Sequence, residues 1–537
     1  MKNNLILKVV SAIVVVGSST AWANKSVDSV PGEFIVKVKD SQAFSHLSKL
    51  GESRWVSKKN NIALVKRSAP ELQSYSLETL NSDPSIEYAE PNYIYTRQQA
   101  PNDPEYGKLW GLANFGQKDS GGASGIDGVD VDAERAWDIQ TGNQDLVIAV
   151  IDTGVDYTLD DLKENIWTNE AEANGQAGVD DDGNGYIDDI HGYDFANNDA
   201  DPKDDHGHGS HVSGTIAAKG NDGHGLVGVA WNAKIMGVKF LSAAGSGSLE
   251  GAIKAIDYAT TMGAKIMNNS WGGGGYSKAL EEAIQRSSDA GALFVAAAGN
   301  SSQNNDAQPT YPATYDVPNV ISVAAIDNKG ELARFSCYGK TTVDVAAPGV
   351  NILSSTPGGY KSWSGTSMAT PHVAGVAALL LSNEPTLTAP EVIDRLKRTA
   401  KPLAGLRNKV ASSGAVNAYF ALTNQEAPAD PNDPGNWQKV DFSIETTHPY
   451  KDKAKESWTI KVDGAKRIAI HFERFETEKS YDKVTVTGSS KGEVDVMSGD
   501  NSEIYSAIIE GDTAVLTFES DDSVNGWGFK VDHIAFE

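Results

Sequence analysis

The spacing of hydrophobic positions changes twice along this chain, and each change marks a different architecture. Over residues 24–98, short alternating runs, which turn one strand face inward and the other outward, flank two helical stretches. Strands are predicted over 33–38, 54–56, 62–66 and 86–95, with helices over 43–50 and 71–80. The order β-α-β-β-α-β predicts a compact ferredoxin-like module. Over residues 99–425, runs at 147–152, 234–241, 264–269, 292–298 and 320–325 are largely apolar, as strands buried on both faces are. Helical stretches over 249–262, 277–290, 367–382 and 390–399 lie between or after them. Such alternation predicts an α/β fold, a parallel sheet with helices on both faces. Beyond a Pro- and Asp-rich linker at 426–435, strands at 458–462, 467–472, 483–487 and 514–519 follow one another without helices, so an all-β sandwich is expected over 436–537. The linker cannot pack as helix or central strand and is expected to be flexible.

Composition narrows the function classes. The formal net charge of −26 excludes the basic face that a nucleic-acid partner requires, and fits solubility outside the cell and cation-binding loops. Residues 1–23 carry Lys2, an apolar stretch over 5–16 interrupted by Lys8, and the small-x-small ending Ala21-Trp22-Ala23. That is the pattern of a secretory signal peptide cleaved after Ala23. The stretch is shorter than the ~18 uninterrupted apolar residues a membrane span needs, so a secreted protein without a span is expected. Cys337 is the single cysteine. With no intrachain disulfide available, bound metal is the expected stabiliser, and Cys337 reads as a small buried hydrophobe.

Chemistry concentrates in four segments of the central region. Gly365-Thr366-Ser367-Met368-Ala369-Thr370-Pro371-His372-Val373-Ala374-Gly375 puts Ser367 at the mouth of a helix too apolar for the surface. Pro371 is expected in the first turn, where a missing N–H costs nothing. A hydroxyl there meets free backbone N–H groups and the positive end of the helix, which suit a developing oxyanion. Val147-Ile148-Ala149-Val150-Ile151-Asp152 delivers a carboxylate to the carboxyl edge of the sheet, where sites of open α/β folds lie. His208-Gly209-Ser210-His211 opens another helix, and Phe294-Val295-Ala296-Ala297-Ala298-Gly299-Asn300 ends a strand in a side-chain amide. An inert Ser N-cap is the bland reading of Ser367, and these partners of a nucleophile stand against it.

In the order Asp, His, Ser, these segments resemble the signatures of subtilisin-like serine peptidases, the subtilases, across residues 105–425. The resemblance implies that Asp152 orients and balances His208, that His208 serves as general base and then acid, that Ser367 attacks, and that Asn300 binds the oxyanion. Gly245-Ser246-Gly247 and Ser270-Trp271-Gly272 match the two edge segments with which the family sandwiches an extended peptide by strand addition. The module at 24–98, ending Ala89-Glu90-Pro91-Asn92, resembles the family's propeptide, an intramolecular inhibitor and chaperone, with its junction between Tyr95 and Asn102. The implied protein is a monomeric secreted serine endopeptidase, made as a zymogen, that cuts polypeptide substrates through an acyl-enzyme. Two other readings remain: a catalytically silent peptide- or matrix-binding protein, and a metallohydrolase using His206, His208 and His211, since imidazoles so spaced can ligate zinc.

Three acidic groupings point to Ca²⁺. In the run from Asp180 to Asp189, Asp180, Asp182 and Asn184 offer oxygens at alternate positions with Gly183 after the third Asp, as calcium loops do. Asp188 or Asp189 is expected to close the shell, because His191 stands where an EF-hand has its bidentate Glu. A second site is expected at Asp161 with Asn221 and Asp222, where a subtilase calcium site would fall. Tyr481-Asp482-Lys483-Val484, the run 518–523 and Gly526-Trp527-Gly528-Phe529 resemble a CUB module lacking its usual cysteines. That resemblance implies a third ion at Glu478, Asp482 and Asp521, and a surface that tethers the protease to insoluble protein matrix.

Overall fold

The computed structural model describes residues 3–4, 29–40, 43–50, 52–66, 77–93, 100–430, 432–488 and 494–537. Most of the expected signal segment, the start of the second helix at 71–76 and most of the junction at 95–102 lie outside the described residues. The chain divides into a unit of residues 14–99 and a unit formed mainly by residues 100–537.

In the smaller unit, four antiparallel strands run in the order Glu52–Ser57, Ile62–Lys66, Ser29–Val38, Ile86–Tyr93. The first and third strands in sequence are central, as a ferredoxin-like module requires. Alternate residues Val36, Val38, Ala63 and Val65 point inward and pack with Leu47 and Leu80 of the helices Phe44–Leu50 and Leu77–Asn81.

The larger unit is built on a nine-stranded sheet. Its order is Lys401–Pro402, Gly414–Ala415, Val345–Pro348, Val320–Ile326, Leu293–Ala297, Ile266–Asn269, Val147–Asp152, Lys234–Lys239, Gly192–Asp194. Every pairing is parallel except that of the first two. Helices cover both faces, which explains why the strands are apolar throughout. Ile148 and Val150 pack on one side with Val212 of the helix His208–Ala217 and with Val373 and Leu380 of the helix Thr366–Asn383. Ala149 and Ile151 pack on the other side with Ile256 and Ile284 of Leu249–Thr261 and Lys278–Asp289. Each large side chain buried in this way contributes about 1.5–3 kcal/mol. Chain order reverses beside Val147–Asp152: later strands are added first on one side and then on the other. The carboxyl end of that strand therefore opens into a crevice.

One local expectation is corrected. Pro371 is not in the first turn of its helix but is the sixth residue of Thr366–Asn383. A proline there removes the N–H that would bond to the carbonyl four residues back, which belongs to Ser367.

Over 438–536 two sheets of antiparallel strands face one another around Ile470, Phe472, Phe475, Leu516, Phe518 and Phe529. The linker is held rather than free. Asp433 caps the short 3-10 turn Pro434–Asn436, and its carboxylate also takes the guanidinium of Arg407. Arg467 of the sandwich donates to Asn432 at 2.9 Å. The prolines exclude regular structure, but aspartate side chains satisfy the turn instead.

Candidate active site

Asp152, the last residue of its strand, is fully buried. Its Oδ1 accepts from His208 Nδ1 at 2.7 Å and from the Thr153 N–H at 2.7 Å. A carboxylate only accepts, so Nδ1 carries the imidazole proton and Nε2 is left with the lone pair. Burial disfavours the charged ring, but the attraction and hydrogen bond of Asp152 outweigh it, and the His208 pKa is raised above its ordinary value.

The start of the His208 helix is fixed by a residue the sequence reading missed. Buried Asp204 accepts from Thr153 Oγ1 (2.9 Å), from the Gly207 and Ser210 N–H groups (both 2.8 Å) and from Ser210 Oγ (2.7 Å). It thereby ties the turn after Asp152 to the first turn of the histidine helix, and suits that positive helix end. Lys239, almost fully buried, donates to the carbonyls of Thr153 (2.7 Å) and Leu241 (3.1 Å) and to Asp205 Oδ1 (2.7 Å). Trp363 stacks on His211 with ring centroids 4.7 Å apart and lies 6.1 Å from His208.

Ser367 is the second residue of its helix. The carbonyl released by Pro371 does not go unpaired: Ser270 Oγ donates to Ser367 O at 2.9 Å, while Ser367 Oγ donates to Ser270 O at 3.0 Å. Asn268 Nδ2 in turn donates to Ser270 Oγ at 3.0 Å. Asn300 Oδ1 accepts from the N–H and hydroxyl of Thr366, at 2.9 and 3.0 Å, which leaves its Nδ2 as the outward donor. Ser367, His208 and Asn300 line one cleft of about 770 Å³. Its walls include Gly245, Ser246, Gly247, Ser270, Trp271 and Gly272.

The metallohydrolase reading is corrected by the same geometry. His211 is fully buried with Nε2 set between the carbonyls of Ile352 and Lys361, each at 3.0 Å. His206 is exposed, its ring centroid 6.3 Å from that of His208. Among the described residues no metal-ligand grouping contains these three histidines.

The family model described as Subtilase family matches residues 143–419, just over half of the chain. The chain belongs to the subtilase family. This subtilase is 39% identical over 349 residues to the Thermophilic serine proteinase of Bacillus sp. (strain AK1), covering 65% of this chain and 75% of that protein. It is 38% identical over 293 residues to Thermitase of Thermoactinomyces vulgaris, covering 54% and 93%. Against Subtilisin-like protease 1 of Plasmodium berghei (strain Anka) it is 40% identical over 297 residues, covering 52% of this chain and 49% of that protein, so it spans about half the length of that relative. A CUB domain model matches residues 438–533. The activity is that of a subtilisin-like serine endopeptidase, and no described helix is long and apolar enough to cross a membrane.

The subtilase's acidic groupings are placed as follows. Asp180 and Asp182 converge with Glu172, their carboxylate oxygens within 4.8 Å of one another. Glu172, from the short helix Glu170–Ala173, also accepts the N–H groups of Asp181, Asp182 and Asp188. Asn184 bridges Asp182 and Asp189 through Nδ2, each at 3.0 Å. Asp188 is turned to the Gly178 N–H, and buried Asp189 holds Asn169 and the Tyr258 hydroxyl, so neither joins the grouping. Asp161 is buried, and burial raises its pKa. Asn221 donates its N–H to Asp103 Oδ2 at 2.7 Å, and Asp103 Oδ1 is buried without a partner. Asp222 accepts from the His224 N–H at 2.9 Å. In the sandwich, Glu478, Asp482 and Asp521 converge within 4.8 Å, and Glu478 Oε2 is buried without a partner. Orphaned carboxylate oxygens fit a hard cation, which takes oxygen ligands. Glu172 and Asp103 were missed because each reaches its partners from a separate segment.

Proposed function

We propose that this subtilase is exported as a zymogen, severs its own N-terminal module and hydrolyses extended polypeptide through an acyl-enzyme on Ser367. The observation that carries the reading is the 2.7 Å Asp152–His208 hydrogen bond beside a cleft that also holds Ser367 and Asn300. Asp152 fixes the imidazole tautomer and balances the imidazolium. A χ1 rotation moves Ser367 Oγ off Ser270 O and onto the scissile carbonyl. Oγ attacks the carbonyl carbon as His208 Nε2 takes its proton, and the C=O electron pair moves to oxygen. The Ser367 N–H and Asn300 Nδ2 receive that oxyanion. His208 then gives its proton to the leaving amine, the C–N bond breaks, and water repeats the sequence on the ester. The Gly245–Gly247 and Ser270–Gly272 edges flank the substrate strand.

Ca²⁺ is the structural cofactor in this reading. Glu172, Asp180 and Asp182, then Asp103 and Asp161 near Asn221 and Asp222, and then Glu478, Asp482 and Asp521 would hold it. Bound there, it supplies charge neutralisation and no catalytic step. The 24–98 module acts as the intramolecular inhibitor, the CUB domain engages insoluble protein matrix, and the mature enzyme is a monomer. Ser367→Ala made in a protease-free host should accumulate the uncut chain and hydrolyse no peptide. Normal processing of that variant would contradict self-cleavage, and retained hydrolysis would contradict the nucleophile.

A further inference from the structure

The CUB domain carries a second histidine centre that the protease chemistry does not use. Strands Arg467–Glu476 and Gly528–Phe536 pair His471 with His533, and Arg467–Glu476 pairs His471 with Tyr505 of Ile504–Tyr505. Three side chains therefore stand in one row across the sheet. The register then slips: Phe472 faces Val531, and Asp532 is the extra residue. A bulge of this kind re-aims a side chain, and Asp532 ends on the same side as both rings. Its Oδ1 lies 2.6 Å from His471 Nδ1 and its Oδ2 lies 2.8 Å from His533 Nδ1. The rings are stacked, with centroids 4.3 Å apart and planes at 21°.

This arrangement sets the orientation of both imidazoles. The two oxygens of one carboxylate each take one Nδ1, and His471, Asp532 and His533 converge as a grouping of possible ligands. A carboxylate accepts, so each Nδ1 donates to Asp532 and each ring turns its Nε2 away from it. One carboxylate thus presents two Nε2 atoms from stacked rings. Metal-binding histidines are prepared in this way, with the second nitrogen donating to a carboxylate behind it. On the Nε2 side, the Tyr505 hydroxyl and His533 Nε2 share a hydrogen bond of 2.8 Å. His471 Nε2 faces Glu503 Oε2 across 4.0 Å. A cation with bonds of about 2.0–2.2 Å to each atom fits across such a gap.

We propose that His471 Nε2, His533 Nε2 and the Glu503 carboxylate form a Zn²⁺ site on the CUB domain, with Asp532 as the positioning residue behind both imidazoles. Two nitrogens and one oxygen suit a borderline transition-metal ion, and water completes a tetrahedral shell. Ca²⁺ and Mg²⁺, which take oxygen ligands, do not match this donor set. Glu503 is largely exposed and free to swing inward, while the Tyr505 hydroxyl rotates away from His533. The site also sits on the seam with the catalytic domain: Asn408 donates to Glu503 O at 3.3 Å, and the Arg407 guanidinium lies 5.7 Å from the Tyr505 ring. Zn²⁺ should therefore stiffen the docking of the two domains.

The test uses the full chain carrying Ser367→Ala, which prevents autolysis, in excess Ca²⁺ to fill oxygen sites. Zn²⁺ is titrated calorimetrically, and retained metal is counted after dialysis. One tightly held equivalent is expected. His471→Gln and His533→Gln should each lose it, His448→Gln should keep it, and Glu503→Gln should weaken it by about 10-fold or more. A parent chain that holds no Zn²⁺, or holds the same amount as the His471→Gln chain, overturns the proposal. If the histidine variants do not fold, the exposed Glu503 decides: unchanged affinity in Glu503→Gln overturns it as well.

Discussion

Acid should destabilise the catalytic domain through two histidines that never touch substrate. His211 is fully buried, with Nε2 between two carbonyls and Nδ1 buried without a partner. His372 lies within the helix that carries Ser367, and its Nδ1 donates to Met368 O at 2.9 Å. Burial, reinforced at His211 by the neighbouring His208, pushes both rings down to about 4 from an ordinary 6.5. Between those values the unfolded chain binds a proton at each ring and the folded chain does not. The histidines' contribution is complete above the unfolded value and is lost as the pH falls toward the folded one. From pH 7 to 4.5 each ring forfeits about 2–3 kcal/mol, together about 5 kcal/mol. A domain has only about 5–15 kcal/mol in total. The assay is urea unfolding of the Ser367→Ala chain in excess Ca²⁺ at both pH values, compared with the same chain carrying His372→Gln. Whatever the substitution costs at pH 7, the stability gap should shift by about 2–3 kcal/mol in favour of Gln at pH 4.5. Parallel pH dependence of the two chains would refute the reasoning.

Glu172→Gln, which leaves the cluster one charge short, should reduce the gain in melting temperature that Ca²⁺ gives. An unchanged calcium response would remove that loop from the metal sites. Asn300→Ala should lower kcat by about 10²–10³ with little change in KM, the magnitude seen in subtilisin, a family member. Intact kcat would assign the oxyanion elsewhere. The acid limb of kcat/KM should fall above the ordinary imidazole value of 6.5, since Asp152 holds the His208 pKa up and only the neutral ring accepts the Ser367 proton. A limb at or below that value, read with a neutral peptide, would contradict the raised pKa. Deleting residues 436–537 should spare cleavage of a short peptide and weaken attack on insoluble protein. Equal loss on both would make the CUB domain part of the catalytic folding unit.

What could be read in the sequence was whatever short-range pattern encodes. Apolar runs ending in Asp152 and Asn300 announced buried strands that deliver polar groups to a sheet edge, and both stand there. Alternation over 33–38 and 62–66 gave the inward residues of the small unit. Long-range pairings left no local trace. Asp204 grips the Asp152 turn from 51 residues away, and Glu172 comes to Asp180 from a separate short helix. Asp189 sits in a calcium-like spacing, yet its carboxylate is committed to Tyr258 and Asn169 in the core. Pro371 looked like a first-turn proline because its fixed φ suits that position. Its actual place deeper in the helix becomes intelligible only with Ser270, which takes the carbonyl the proline leaves free. The linker's prolines suggest freedom, whereas Arg407 and Arg467, distant in sequence, hold the aspartate and asparagine beside them.

The central claim is that Ser367 is a nucleophile activated through His208 and Asp152. It is tested most directly by treating the mature enzyme with a fluorophosphonate at pH 8 and mapping the adduct by peptide mass. The account predicts a single phosphonylated residue, Ser367, formed in step with loss of peptidase activity and suppressed in a folded His208→Ala chain. Labelling of another residue, or equal labelling of Ser367 without His208, would contradict it.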